Sequence, residues 1–450
     1  MAQPNILLIT LDTVRSDALG CYGSQTATPT MDHIASTGVV FDQAITNGSY
    51  TKSAFPPILS STYASQYGGP FQDASQRRPM LARVLKEAGY QTGGFTANPL
   101  LAEELGYDEG FDGYREPVPP EERRWWLKLK GAQAVLRNQP LNGLLTRLGL
   151  NTLPNPVYVS GEVITDLAVS WVKQCTSPFF LWLHYMDAHW PYHAMESLQD
   201  GASRAKAWQD LHKVWVSRGK HPGDETVARM RGLYAAGVER LDHQVDRLIR
   251  ALGGWKALRD TIVVLTADHG EAFWEHGHWQ HGAVYAFQEE ILRVPLIVKA
   301  PDLPESVRSR DLVSLIDLAP TLLDLAGIEA PAKMEGRSLR PVMENGSPGS
   351  SLVISEMVDL NWYCVALRSE RYKYVYDERR PTFRQLFDLR QDPGEKQDLF
   401  GQRPGEEAEF ENHLQRHLER VRSEGERDDG GGWQVEGDVV RRLKALGYIE

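Results

Sequence analysis

Two apolar runs that each stop on an acid constrain this chain more than any other feature. Asn5-Ile6-Leu7-Leu8-Ile9-Thr10-Leu11 ends on Asp12, and Thr261-Ile262-Val263-Val264-Leu265 leads into Thr266-Ala267-Asp268-His269-Gly270-Glu271. Short runs without polar alternation read as strands buried on both faces of a sheet. In open α/β sheets, ligands gather beyond the carboxyl ends of the strands. The pattern predicts one sheet edge where two distant strands deliver Asp12, Asp268 and His269 to a single divalent cation.

The rest of the chain fits such a sheet. Strand-like and helix-like runs alternate over the first two-thirds: Thr30–Ser36 helical, Val39–Ala44 extended, Met80–Ala88 helical, Gln91–Thr96 extended, Val163–Lys173 helical, Phe179–Tyr185 extended, Ala228–Ala251 helical. This predicts an α/β fold, a large domain whose mixed, mostly parallel sheet is sandwiched by helices. It would span residues 1–345, with excursions at about 116–156 and 194–226, where substrate selection often resides. Glu344–Ser351 reads as a linker. Beyond it, Leu352–Val358, Cys364–Arg368, Tyr372–Tyr376 and Arg384–Leu389 predict a small antiparallel sheet, with a helix at Glu406–Glu424 and a short one at Asp438–Leu446. Residues 352–450 thus form a small C-terminal α+β domain.

Composition excludes several function classes. Among 450 residues, 42% are hydrophobic and 24% charged, as in ordinary globular proteins, and the net charge of -11 opposes sequence-independent nucleic-acid binding. It does not oppose an anionic substrate, because a metal and a few cations set the local field. Cys21, Cys175 and Cys364 show neither disulfide-framework nor zinc-finger spacing. No run is long enough to span a membrane. Met1-Ala2-Gln3-Pro4 leads straight into the first strand, so the chain as written reads as cytoplasmic, and as periplasmic or secreted if a leader was trimmed. Nothing opposes an oligomer.

The candidate chemistry clusters near strand ends. Asp12 suits a hard cation, although a lone Asp is as readily a helix cap. The hydroxyl-rich stretch Gly48–Tyr63 can place a nucleophile at a helix N-terminus, where free N–H groups and the dipole favour anions; ordinary capping explains the same composition. His184, Asp187, His189 and His193 follow the 179–185 strand, while His276, His278 and His281 follow His269. Asn98, after the 91–96 strand, reads as a site residue or as a cap before Pro99.

Several segments in order resemble the sulfatase family of the alkaline-phosphatase-like superfamily. They are Pro4–Asp17 with Gly20-Cys21-Tyr22-Gly23, His184-Tyr185-Met186-Asp187-Ala188-His189-Trp190-Pro191-Tyr192, Thr266–Glu271, Arg293–Val298, Asp317–Leu323, Arg371–Tyr374, Leu386–Leu389 with Asp392–Glu395, and Leu446-Gly447-Tyr448. The resemblance implies a metal-dependent hydrolase of sulfate or phosphate esters, small-molecule or glycan. Asp12, Asp268 and His269, joined by Thr51, would hold the metal. Thr51, His189 and His281 would be catalytic, and Asn98, His184 and Lys52 would contact substrate.

The chain departs from the family at its nucleophile. Sulfatases convert a Cys or Ser in a C/S-x-P/A-x-R setting to formylglycine, whereas counting back from Ile58–Tyr63 puts Thr51-Lys52-Ser53-Ala54-Phe55 here. Threonine cannot become formylglycine, so none is expected, and Thr51 should act as a plain alkoxide. Relatives with a threonine nucleophile act on phosphoesters, so a phosphodiesterase or phosphonate monoester hydrolase is one alternative. An inactive binding protein with the same fold is the other, opposed by the intact Asp12, Asp268 and His269. The donor set suits one Ca²⁺, Mg²⁺ or Mn²⁺, with Zn²⁺ an option; a second ion would draw on Asp187 and His193.

Overall fold

The computed structural model describes residues 3–67, 77–117, 158–176, 178–192, 201–216, 220–282, 287–359 and 362–424. Its main sheet has nine strands: β1 (Asn5–Leu11), β2 (Val39–Ile45), β3 (Gln91–Thr96), β4 (Gly113–Arg115), β5 (Phe179–Tyr185), β6 (Thr261–Ala267), β7 (Arg293–Val294), β8 (Leu296–Lys299) and β9 (Val307–Ser314). Their order is β4-β3-β5-β1-β6-β8-β2-β7, with β9 on the free edge of β2. The first five of these run parallel; β8 is antiparallel to β6 and to β2. The sheet is therefore mixed and mostly parallel.

The centre of the sheet is apolar because the sequence leaves no polar face there. β5 and β6 are buried at every position, and so is β1 after Asn5. Helices cover the layers. Asp224–Ala251, the longest, buries Met230, Leu233, Tyr234, Val238, Leu241, Val245, Leu248 and Ile249, a stripe at three- and four-residue spacing. Asp224 and Glu225 open it and Arg250 closes it, matching the helix dipole. The helix begins earlier than the sequence pattern suggests. A further helix, Gly201–Val216, occupies the second predicted excursion.

A separate antiparallel sheet follows: β10 (Val353–Asp359), β11 (Trp362–Arg368), β12 (Tyr372–Asp377) and β13 (Arg384–Asp388), with the helix Pro404–Glu424 against it. The segment read as a linker is tied down instead: Ser350 N–H donates to Leu312 O of β9 at 2.6 Å. β10 also grips the chain beside the first sheet. Glu356 N–H donates to Asn47 O (2.8 Å), Asn47 Nδ2 to Ile354 O (2.8 Å), and Val358 N–H to Ser53 Oγ (3.1 Å). Residues 118–156 of the first predicted excursion, the Asp438–Leu446 helix and the Leu446–Tyr448 motif lie outside the described residues.

Candidate active site

Register builds the site. β1 pairs with β6 so that Leu11 faces Ala267, and the next residues, Asp12 and Asp268, leave the sheet side by side. On the other flank Thr10 faces His184, and His184 faces Thr96 of β3, two residues before Asn98. Four neighbouring strands thus end at one place, as the parallel topology requires. The fifth contribution is the helix Thr51–Ser60, buried along its whole length, which begins at Thr51 itself.

The side chains converge. Asn98 Nδ2 donates to Asp12 Oδ2 (2.8 Å) and to Thr51 Oγ1 (3.2 Å), while Asn98 Oδ1 accepts from Leu100 N–H (2.9 Å). Asn98 is therefore both cap and site residue. His184 Nε2 lies 3.1 Å from Asp12 Oδ2, with its Nδ1 3.0 Å from Thr10 Oγ1. Thr51 Oγ1 stands 3.5 Å from His269 Nε2. Asp268 Oδ1 accepts from His269 N–H (2.9 Å) and Thr13 N–H (3.3 Å). His269 Nδ1 sits 3.0 Å from Gly270 O, so Nδ1 carries the proton and Nε2 keeps its lone pair.

Asp12 and Asp268 are wholly buried, and Asp12 Oδ1 and Asp268 Oδ2 have no hydrogen-bond partner among the described residues. Orphaned oxygens of this kind are expensive unless a cation meets them. Ligand atoms of Asp12, His184 and Asp268 fall within 4.8 Å of one another. Burial raises the Asp12 carboxyl, but His189, the His184 hydrogen bond and His269 outweigh it and hold it well below the usual carboxylate range. Burial and the Asp12 charge push Asp268 well above that range. The protein alone stabilises one negative charge here, and two facing carboxylates ionise together only with added positive charge. Burial and nearby His281 keep the His269 imidazole far below its ordinary value, as a neutral ligand needs to be. These residues fit a divalent cation.

Two histidines flank this group. His281 lies 4.2 Å from His269 and His189 lies 5.2 Å from His281, centroid to centroid. His281 Nδ1 is 3.1 Å from Glu271 Oε1; burial lowers the His281 pKa, yet the Glu271 charge and hydrogen bond raise it above the ordinary value. His189 donates from Nδ1 to the Trp190 carbonyl, and burial depresses it. Lys52 is buried beside Thr51, its ammonium pushed down to about 7 by desolvation, with Asp359 the opposing charge.

Asp187 faces elsewhere. Its Oδ2 accepts from Gly161 N–H at 2.7 Å and its Oδ1 lies 3.7 Å from Arg240 Nε. His193 lies outside the described residues. Among the described residues the other metal-ligating cluster is His276, Glu290 and Glu395, where buried Lys373, 2.7 Å from Glu395, already supplies positive charge. Sequence reasoning gave no role to Glu271 or to Thr10. Glu271 carried a signal, an acid two residues past a candidate ligand; Thr10 meets the site through cross-strand register, which no local pattern encodes.

Comparison with known proteins agrees with this geometry. Residues 4–328 match the family model described as Sulfatase, and residues 274–424 match one described as N-sulphoglucosamine sulphohydrolase, C-terminal. The chain is 28% identical to the uncharacterized sulfatase YidJ of Escherichia coli over 76% of its own length and 72% of that protein's. It is 24% identical to an N-acetylglucosamine-6-O-sulfatase of Bacteroides thetaiotaomicron, covering 94% and 87%. The crystal structure of phosphonate monoester hydrolase from Agrobacterium radiobacter superposes with a TM-score of 0.69 at 20% identity, covering 94% and 96%, and shares the fold. The chain belongs to the sulfatase family, whose members include named sulfatases, and is a hydrolase of ester bonds.

Proposed function

We propose that the protein hydrolyses sulfate or phosphate esters with Thr51 as an unmodified nucleophile. The observation carrying this reading is the position of Thr51 Oγ1, buried at the first residue of its helix, 3.5 Å from His269 Nε2 and 3.2 Å from Asn98 Nδ2. Asp12, Asp268, His269 and Thr51 would hold one Ca²⁺, Mg²⁺ or Mn²⁺, with Zn²⁺ also compatible. That cation would supply charge to acidify the Thr51 hydroxyl and to neutralise the ester oxygens.

The chain's own groups do the rest. Asn98 Nδ2 occupies a lone pair of Thr51 Oγ1 and so fixes the direction from which it attacks. His189 and Lys52 contact the anionic group, and His281 gives its proton to the departing oxygen. Water then attacks sulfur or phosphorus to release Thr51. Formylglycine hydrate ejects sulfate by collapsing to an aldehyde, a route closed to a threonine ester. Both half-reactions here are displacements at the same centre.

That difference favours a second reading, hydrolysis of phosphodiesters or phosphonate monoesters, the latter being what the structural neighbour's name describes. Assay of the metal-loaded protein with aryl sulfate, aryl phosphate, phosphodiester and phosphonate monoester separates the two. Thr51→Ala should abolish whichever activity appears. Silence on all four substrates contradicts both readings. The relatives' names point to sulfated sugars as the first natural substrates to try.

A further inference from the structure

We propose that Glu271 is a positioning residue: its carboxylate holds a proton on Nδ1 of His281, leaving Nε2 as the ring atom that gives up and recovers the proton of the reaction. The inference rests on the reading of His281 as the residue beside the leaving oxygen.

Three observations support it. Glu271 is fully buried, and the contact between its Oε1 and His281 Nδ1 at 3.1 Å joins residues ten apart, so the loop between them is folded to make it. The contact pairs a carboxylate oxygen with one ring nitrogen, and we place the hydrogen of that pair on Nδ1. The other carboxylate oxygen, Oε2, has no hydrogen-bond partner among the described residues, so His281 is the side-chain partner that the described residues give this acid. The backbone here is fixed by other groups: Gly270 N–H donates to Ile291 O at 2.8 Å, and Arg15 Nη1 donates to Glu271 O at 3.2 Å. These backbone bonds fix the loop without using the Glu271 side chain.

The proton balance is simple. In the first half-reaction Thr51 Oγ1, its proton already lost to solvent on acidification, bonds to sulfur or phosphorus and the bond to the leaving oxygen breaks. The Nε2 proton passes to that oxygen, and the ring is left neutral with Nδ1–H still on Glu271. In the second, a water oxygen bonds to sulfur or phosphorus, the bond to Thr51 Oγ1 breaks, and a water proton returns to Nε2. Without the carboxylate a neutral ring divides between two tautomers, and the one with a bare Nδ1 cannot take the water proton at Nε2.

Glu271→Leu and Glu271→Gln test this. Gln keeps an acceptor for Nδ1–H and Leu does not. Nitrogen-15 NMR of the imidazoles in metal-free protein, with His281 assigned from the spectrum of His281→Gln, should show Nδ1–H in the wild type and in Glu271→Gln, and mixed tautomers in Glu271→Leu. With aryl esters of graded leaving-group basicity, Glu271→Leu should lower kcat on the order of 10²-fold for the poorest leaving group. It should change the best leaving group and KM little, and Glu271→Gln should restore most of the loss. Nε2–H in the wild type, or a Leu variant with wild-type tautomer and leaving-group dependence, overturns the proposal. If the wild type hydrolyses no ester, the functional reading falls and the NMR result alone upholds or overturns the positioning role.

Discussion

On the proposed reading Thr51, Asp12 and Asp268 divide the work at the site, and substitutions separate their roles. Thr51→Ala removes the proposed attacking oxygen and leaves both carboxylates, so kcat should fall on the order of 10³-fold or more while a divalent cation still raises the melting temperature. Asp268→Asn replaces a buried candidate ligand oxygen and removes one of two facing acids. It should erase the metal-induced rise in Tm, which for a ligand at 100 times its Kd corresponds to about 2.7 kcal/mol. Equal thermal shifts in wild type and Asp268→Asn would remove Asp268 from the ligand set. At this scale the sequence displays most of the residues that the structure brings together. Asp12, Asp268, His269 and Thr51 carry side-chain chemistry that sequence displays. Asp187 and Asn98 needed coordinates, because an Asp that receives a helix N–H and an Asn that is both cap and bridge look the same as any other in a string of letters.

Elements hold those residues through close contacts. Gly237 lies mid-helix in Asp224–Ala251, and a Cβ there would come within 2.6 Å of Asp187 O and 3.0 Å of Ala188 Cα. Gly237→Ala should cost about 1–3 kcal/mol and displace the turn that carries His189. Chemical denaturation reads the first effect and kcat the second; a neutral result in both would show that the turn yields freely. The second sheet carries a buried acid, Glu356, which accepts from Ser65 Oγ (2.6 Å) and Tyr363 Oη (2.7 Å) and lies 2.8 Å from His417 Nε2. Burial raises its pKa, but the His417 bond and charge outweigh burial and leave it lowered. A depressed folded pKa means stability that is present above the unfolded value of about 4.3. It is lost as pH falls further, through the folded value. Urea midpoints should therefore drop on acidification in the wild type and less steeply in Glu356→Gln. The β1, β5 and β6 strands were plain in sequence because buried parallel strands are uninterrupted apolar runs. The helix at Thr51–Ser60 was harder to see, since Pro56 and Pro57 lie inside it and its surroundings are rich in hydroxyls.

At the scale of the whole molecule, the α/β core and the antiparallel sheet after it follow from how apolar runs alternate along the chain. How the two sheets depend on each other does not, because their contacts join residues some 300 positions apart. β10 binds Asn47 and Ser53, on either side of Thr51, so the second sheet braces the segment that carries Thr51. A protein ending at residue 345 should consequently be unstable and inactive, with residues 352–450 supplied separately restoring little; an active, cooperatively folded truncation would show the brace to be dispensable. The central claim is tested most directly by rapid quench of the metal-loaded protein during turnover, followed by peptide mass spectrometry. The account predicts a sulfo or phospho group on Thr51, absent from Thr51→Ala. Turnover with Thr51 never modified, or surviving in Thr51→Ala, would contradict it.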